Sequence, residues 1–439
     1  MVPDKPSPSP LLHTLPNGVR LLAVPMPHVR SASVGVFLRV GSRDETPAAN
    51  GISHVLEHMA FKGTATRNVQ QINLDAERLG ADVNAYTGKD STGYFMTGLG
   101  RHAQDLLRMT ADIVLNSTFP DQELRRELDV VRQELVEYDE DPQDHCSDLL
   151  DRAIWGDHPM GMPIIGTIAN VEGFTRDDLV RHVREHYTAD RTVVAAAGNF
   201  DVQAWLRLAE ELFSAVPAAA PEASRPPPPA PYAGHAIARR YGQVSQAFVH
   251  LAYPATPTPQ DEWPQQRWRL AAAVAANLFG GGMSAPWVDR VREQLGLAYT
   301  ANAWLDSGDA WGVLVVQAVT TPDKLEQLLG ATGEQLRAQA DAIDPVQLER
   351  ARNQLAVSRV RSAERTFATM EHAVEELFAS GTVTPLPQVL AQVEAVTAQE
   401  VRELFGRMLA HPPSLAITGK GATAPRARKL AATLAAASR

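Results

Sequence analysis

The sequence predicts an α+β protein made of two tandem homologous αβ domains, each a largely antiparallel sheet covered by helices. Three observations predict it. Short runs of alternating apolar residues interleave with stretches of helical periodicity along the chain. The order of elements then restarts: Val171-Glu172-Gly173-Phe174-Thr175 is matched 222 residues later by Val393-Glu394-Ala395-Val396-Thr397. Between the copies, Pro217 to Pro231 holds seven prolines, which suits neither helix nor central strand and reads as an extended tether. The domains are therefore drawn as 11–216 and 232–425, with 217–231 as linker.

In chain order, His13 to Leu22 predicts two strands joined at the tight turn Asn17-Gly18. Val34, Val36, Leu38 and Val40 alternate as a third strand. It feeds a helix over 51–61, for which Gly63 is a candidate left-handed cap. A second helix runs from Val69 to Leu79 and stops at Gly80. Strands follow over Ala81–Thr87 and Thr92–Leu99, with Gly88-Lys89-Asp90-Ser91 as the turn. Helices are expected over 101–116 and 120–139. After a loop rich in Gly, Pro and Met comes a helix capped by Thr175 with Asp178 three residues on, then the strand Val193–Ala197. In the second copy, Leu295-Gly296 precedes a strand from Leu297 to Thr300, Pro345 to Leu355 is helical, and Leu415 to Gly419 is a strand.

The helix over 51–61 carries the chemistry. At about 100° per residue, Ile52, Val55, Leu56 and Met59 share one apolar stripe, and His54, Glu57 and His58 lie opposite it. Two imidazoles four residues apart can grip one zinc ion. The carboxylate just before the second then sits beside the open coordination position. A third ligand is needed, and Glu134, 76 residues beyond His58, lies on a helix with Leu124, Leu128, Val131 and Leu135 as its apolar stripe. Glu127 shares Glu134's face, seven residues earlier.

His182-Val183-Arg184-Glu185-His186 also fits H-x-x-E-H, and Glu262 stands at the same 76-residue spacing beyond it. Context separates the two. Glu262 sits among Pro257, Pro259 and Pro264, which read as a loop. The charged trio of the second motif flanks the stripe of Leu179, Val180, Val183 and Tyr187 rather than opposing it. At the 222-residue offset, neither motif has a counterpart: 276–280 read Ala-Asn-Leu-Phe-Gly and 403–407 read Glu-Leu-Phe-Gly-Arg. The metal set is expected at His54–His58 and a structural helix at 182–186.

A net charge of −10 over 439 residues argues against nucleic acid as the main partner. The single cysteine, Cys146, excludes an intrachain disulfide. Met1 to Pro10 lacks an apolar signal core, and no stretch is long and apolar enough to span a bilayer, so a cytoplasmic protein without membrane association is the expectation.

With the metal helix, the distant carboxylate and the duplication assembled, the chain resembles the pitrilysin-type inverzincin metallopeptidases. It is most similar to their short-chain branch, which includes mitochondrial processing peptidase and its bacterial relatives. The likeness runs from about His13 to Gly421. It is carried by His54-Val55-Leu56-Glu57-His58 with Met59-Ala60-Phe61-Lys62-Gly63-Thr64, by Arg126-Glu127 and Glu134, and by Gly80 to Thr87. Arg292-Glu293-Gln294-Leu295-Gly296-Leu297-Ala298-Tyr299 adds the family's arginine–tyrosine pair in the second half. One departure is Ala285-Pro286, where members usually carry Ser-Arg.

The resemblance implies a chain that forms one half of a clamshell chamber. It implies one Zn²⁺ per chain on His54, His58 and Glu134, Glu57 as the general base on the attacking water, and Glu127 behind the ligands, tuning them. The choice of Glu134 over Glu127 as ligand rests partly on that likeness. Asn84 and Ala85 would lie on the edge strand that binds unfolded peptide substrates, and Arg292 and Tyr299 would assist catalysis from a second subunit. A homodimer, or a heterodimer with a paralogous subunit, follows. The alternative is a non-catalytic or metal-bearing subunit of a heteromeric assembly; a non-catalytic one would be expected to have lost part of the metal set.

Overall fold

A computed structural model of the chain describes residues 9–218, 230–256 and 265–438. Glu262, with Pro257, Pro259 and Pro264, lies outside the described residues, as do most of the proline-rich tether and residues 1–8 of the N-terminal stretch.

The elements in chain order are β1 (Leu11–Thr14), β2 (Arg20–Pro25), β3 (Ser31–Leu38), α1 (Ile52–Ala60), α2 (Val69–Leu79), β4 (Asp82–Thr87), β5 (Thr92–Leu99), α3 (Ala103–Leu115), α4 (Asp121–Glu140), α5 (Pro142–Trp155), α6 (Ile168–Gly173), α7 (Arg176–His186), β6 (Thr192–Gly198) and α8 (Val202–Phe213). Beyond the tether come β7 (Ala236–Arg240), β8 (Ala247–Pro254), α9 (Gln265–Gly280), α10 (Pro286–Val288), β9 (Thr300–Ser307), β10 (Gly312–Thr320), α11 (Leu325–Asp341), α12 (Pro345–Ala363), α13 (Thr366–Ser380), α14 (Leu386–Glu394), α15 (Ala398–Leu409), β11 (Ser414–Gly419) and α16 (Ala424–Ala437).

Local chemistry sets many of the boundaries. Gly80 ends α2 at φ 62°, a left-handed conformation that costs glycine nothing. Thr175 and Asp178 form a reciprocal capping box on α7, and Thr397 and Glu400 repeat it 222 residues later on α15. Three expectations are corrected. Helix α1 ends at Ala60 with Phe61 as its cap, so Gly63 is not the capping residue, although its φ of 144° is positive. Helix α5, started by the Asp141 cap and Pro142, occupies part of the stretch expected as loop after 139. The strand expected from Leu297 begins only at Thr300, because Leu295 to Tyr299 follow a π-helical turn over Asp289–Gln294.

The two sheets share one plan. The first runs β1-β2-β6-β3-β5-β4 and the second β7-β11-β8-β10-β9. In each, the last strand pairs in parallel with the first of the shared core, β6 with β2 and β11 with β7; the other pairings are antiparallel. Duplication of one αβ unit is thus written in strand order as well as in sequence.

Two compact units gather around these sheets, and neither is contiguous. The first holds the chain to Leu135, the stretch from Pro163 through α8, and Arg361–Pro385. The second holds Val136–Met162, the chain from β7 to Val360, and Leu386 onward. The tether marks where the order of elements restarts, while packing divides the chain elsewhere. In the first unit, strand residues of one parity, among them Leu21, Val34, Val36 and Val194, pack with α3 and α8. The opposite parity, with Leu22, Phe37, Val193 and Ala195, is covered by Met370, Val374 and Leu377 of α13. In the second unit, α9, α11, α15 and α16 cover one face of the sheet, and Cys146, Leu150 and Ile154 of α5 cover the other. Each sheet takes one cover from the other half of the sequence.

Truncating either cover should therefore loosen the sheet remote from it in sequence. Leu377→Ala should cost about 2–5 kcal/mol and lower hydrogen-exchange protection in β2, β3 and β6. Ile154→Ala should do so in β8, β10 and β11. Protection lost in the sequence-adjacent sheet instead would contradict the exchange.

Candidate metal centre

Helix α1 is amphipathic in three dimensions as in sequence. Ile52, Val55, Leu56 and Met59 are buried with Leu124, Val131, Phe119 and Leu179, and Leu128 and Leu135 pack against them. That contact docks α1 on α4. His54, Glu57 and His58 remain half-buried on the other side.

The docking brings three ligand groups together. One ligand atom each from His54, His58 and Glu134 lies within 4.8 Å of the others, and this is the sole such group among the described residues. Glu134 Oε2 is 3.8 Å from His54 Nε2 and 3.5 Å from His58 Nε2, and the rings lie 4.8 Å apart. A tetrahedral zinc with bonds of about 2.0–2.1 Å separates its donor atoms by about 3.4 Å. Two imidazoles and one carboxylate at these spacings fit that ion and leave one position open.

Around the ligands, the next groups are paired. Glu127 accepts from His58 Nδ1 at 3.2 Å and from the Lys62 ammonium at 2.7 Å. A carboxylate on the far ring nitrogen fixes the tautomer that points Nε2 at the metal. Glu45 is 3% exposed and takes the place of a side-chain cap, since the N-cap residue Gly51 has none. Its oxygens accept from the N–H groups of Gly51 at 2.8 Å and Ser53 at 2.9 Å, and from Asn50 Nδ2 at 3.0 Å. Glu45 does not stand out in the sequence, because a lone charge in a loop reads as solvated surface; Lys62 enters only within the family-like run Met59–Thr64. The one available signal for Glu45 is its position seven residues before a helix that opens with an uncapped glycine.

Electrostatics separates the ligands by role. Burial, reinforced by the neighbouring His58, pushes His54 down to about 4, so it presents a lone pair at neutral pH. Burial also lowers His58, but hydrogen bonds to Glu134 and Glu127 outweigh it and raise the imidazole. The same hydrogen bond to His58 holds Glu134 below the usual carboxylate range. Protons and a metal ion compete for these three groups, so metal affinity falls as pH drops. Glu57 is raised by burial, opposed by the hydroxyl and N–H of Thr87.

Among the described residues, strand β4 lies at the edge of the first sheet, pairing with β5 on one side alone. Asn84 and Ala85 sit on it, Asn84 exposed and Ala85 half-buried. In the second unit, the Arg292 guanidinium lies 4.7 Å from the Tyr299 ring centroid, and Tyr299 is 80% exposed. Ala285 is buried and Pro286 starts α10, so the departure from Ser-Arg falls at a short helix start.

The second H-x-x-E-H motif lies on α7. His182 and His186 have ring centroids 4.3 Å apart, but no carboxylate joins them in a ligand group among the described residues. His182 is buried, and burial pushes it down to about 3. These histidines belong to packing.

Residues 20–168 match the model of the insulinase family, peptidase family M16, and residues 173–355 match the family's inactive-domain model. An uncharacterized zinc protease of Bacillus subtilis is 32% identical over 420 residues, covering 94% of this chain and 99% of that protein. An uncharacterized zinc protease of Mycobacterium bovis is 33% identical, covering 92% of each. Among solved structures, a protease from Helicobacter pylori superposes with a TM-score of 0.83 at 19% identity, over 94% of this chain and 99% of that one. A chain of complex III from Candida albicans reaches 0.78 at 19% identity, over 96% of this chain and 99% of that one. At such identity these two speak for the fold alone.

Metal analysis separates the two motifs: His58→Ala should lose zinc, while His186→Ala should retain about one equivalent. Glu127→Gln should keep all three ligands yet weaken zinc binding by about 10–100-fold, read by competition with a chelator. Stoichiometric, tightly held zinc in His58→Ala would refute the assignment.

Proposed function

The chain belongs to peptidase family M16, the insulinase family, and is a zinc metalloprotease; on that premise we propose that it cuts unfolded peptides at the His54–His58–Glu134 centre, with Glu57 as general base. The observation that carries this reading is the gathering of three ligand atoms within 4.8 Å beside a carboxylate on the same helix face.

Zinc, when bound, supplies the Lewis acid that polarises the scissile carbonyl and brings the attacking water's pKa toward neutrality. Glu57 takes that water's proton and passes it to the leaving amine. Its burial lifts the carboxyl toward the operating pH, the direction in which a base and acid used in turn works best. Glu127 holds His58 and keeps its Nε2 aimed at the centre. The peptide adds as a strand to the free edge of β4, at Asn84 and Ala85, so main-chain hydrogen bonds hold it with little demand on its side chains. The Tyr299 hydroxyl stabilises the oxyanion, and Arg292 supports the Tyr299 ring.

The ligand set and the Arg292–Tyr299 pair both stand on one chain, which favours a homodimer whose pair serves the partner's metal across a closed chamber. The competing reading, a non-catalytic subunit, would be expected to show loss of part of the metal set. This chain retains it all.

A zinc-loaded Glu57→Gln protein should lose activity by several powers of ten, because an amide cannot accept the proton; near-normal turnover would exclude the role. Tyr299→Phe should lower turnover by about 10²–10³. Mixing Glu57→Gln with Tyr299→Phe should restore activity once labelled subunits show that mixed dimers form, and unrestored activity in those dimers would sink the trans arrangement. A disordered casein-like substrate should be cut and a tightly folded protein spared; equal rates would contradict a chamber.

A further inference from the structure

One five-residue segment, Gly41–Glu45, holds both the metal helix and the edge strand. Arg43 is 5% and Glu45 3% exposed. The Glu45 end is the cap on α1 described above. The other end is fastened to the turn between β4 and β5. The Ser42 N–H donates to Gly88 O and the Arg43 N–H to Lys89 O, each at 3.1 Å, and the Arg43 guanidinium pairs with Asp90. Gly41 has no room for a side chain, since a Cβ there would lie 2.4 Å from the carbonyl oxygens of Gly88 and Lys89. Asp44 closes the segment on itself by accepting from the Gly41 N–H at 3.1 Å.

Two buried polar side chains engaged this fully make a stiff link, because releasing either leaves its partners desolvated and unpaired. A stiff link is what strand-guided hydrolysis needs. The peptide takes its register from β4 and the water its place from α1. A slip of one residue moves the scissile bond by about 3.3 Å, whereas reacting groups tolerate about 0.5 Å.

We propose that Arg43 and Glu45 are positioning residues of peptide-bond hydrolysis, locking the register between strand β4 and the metal helix through Gly41–Glu45. The inference rests on β4 being the peptide-binding edge.

The test uses the full chain loaded with zinc and one defined unstructured peptide. Metal content, unfolding midpoint, kcat, KM and the masses of the products are measured for Glu45→Gln, Arg43→Lys and Asp90→Asn. Glu45→Gln turns an acceptor into a donor facing N–H groups. In folded, zinc-loaded protein it should lower kcat by about 10–100-fold while KM moves less than about threefold. Arg43→Lys and Asp90→Asn should spread cleavage to neighbouring bonds, and the double variant should spread it no further than either alone. Folded, zinc-loaded variants that cut the wild-type bonds at the wild-type kcat would overturn the proposal. If Glu45→Gln fails to fold, the cleavage map of Asp90→Asn decides, since that residue lies in the β4–β5 turn and acts on the segment through Arg43. The parent reading is tested separately: a backbone N-methylated version of the peptide that wild type cuts as well as the original refutes strand addition, and the proposal with it.

Discussion

The packing of α1 on α4 is what turns residues 76 positions apart into one ligand set. Four large apolar side chains of α1 leave water in the cluster they form with α4, α6 and α7, at roughly 1.5–3 kcal/mol each, before the entropy of ordering is set against them. This gain offsets the cost of half-burying two imidazoles and a carboxylate on the opposite side. Without it, His54 and His58 would sit on an exposed helix and Glu134 would have no fixed distance from them. The polar face is therefore positioned by the apolar one. Glu127 then pairs with both His58 and the Lys62 ammonium beside the centre.

Much of this centre is legible in the sequence because it is written in helical periods. The stripe of Ile52, Val55, Leu56 and Met59 appears in the packing, and Glu127 and Glu134 share a face as a seven-residue interval requires. Caps are equally local: Gly80 and the Thr175–Asp178 box can be read from a few residues. What could not be read depends on distant chain. Helix α5 has its buried face in Cys146, Leu150, Ala153 and Ile154, and its partner strands lie at 247–254 and 414–419. Glu45 is legible as an acid and not as a buried one, since its burial is made by Asn50, Gly51 and Ser53 folding over it. The second H-x-x-E-H motif shows the converse. Its local pattern is sound, but among the described residues no carboxylate joins His182 and His186 in a ligand group.

Duplication explains why the chain carries chemistry in one copy and not in the other. Both sheets use the same strand order, so the plan does not need a metal to stand. At the positions of His54–His58 the second copy has Ala276, Asn277, Leu278, Phe279 and Gly280 within α9, and Ala276, Leu278 and Phe279 are core residues there. One copy spends that helix position on ligands and the other on packing.

The exchange of α5 and α13 has a consequence for synthesis. The last strand of the first sheet ends at Gly198, but α13, which covers that sheet's second face, ends at Ser380. A ribosome making roughly 5–20 residues per second delivers that cover some 10–40 s after the sheet's strands have all been made. Until then Leu22, Phe37, Val193 and Ala195 have no partner helix, and the nascent chain presents a greasy sheet face to the cell. The first unit cannot mature vectorially. Its completion waits for the second half of the chain, which places an early demand on holding chaperones and makes truncated translation products prone to aggregate.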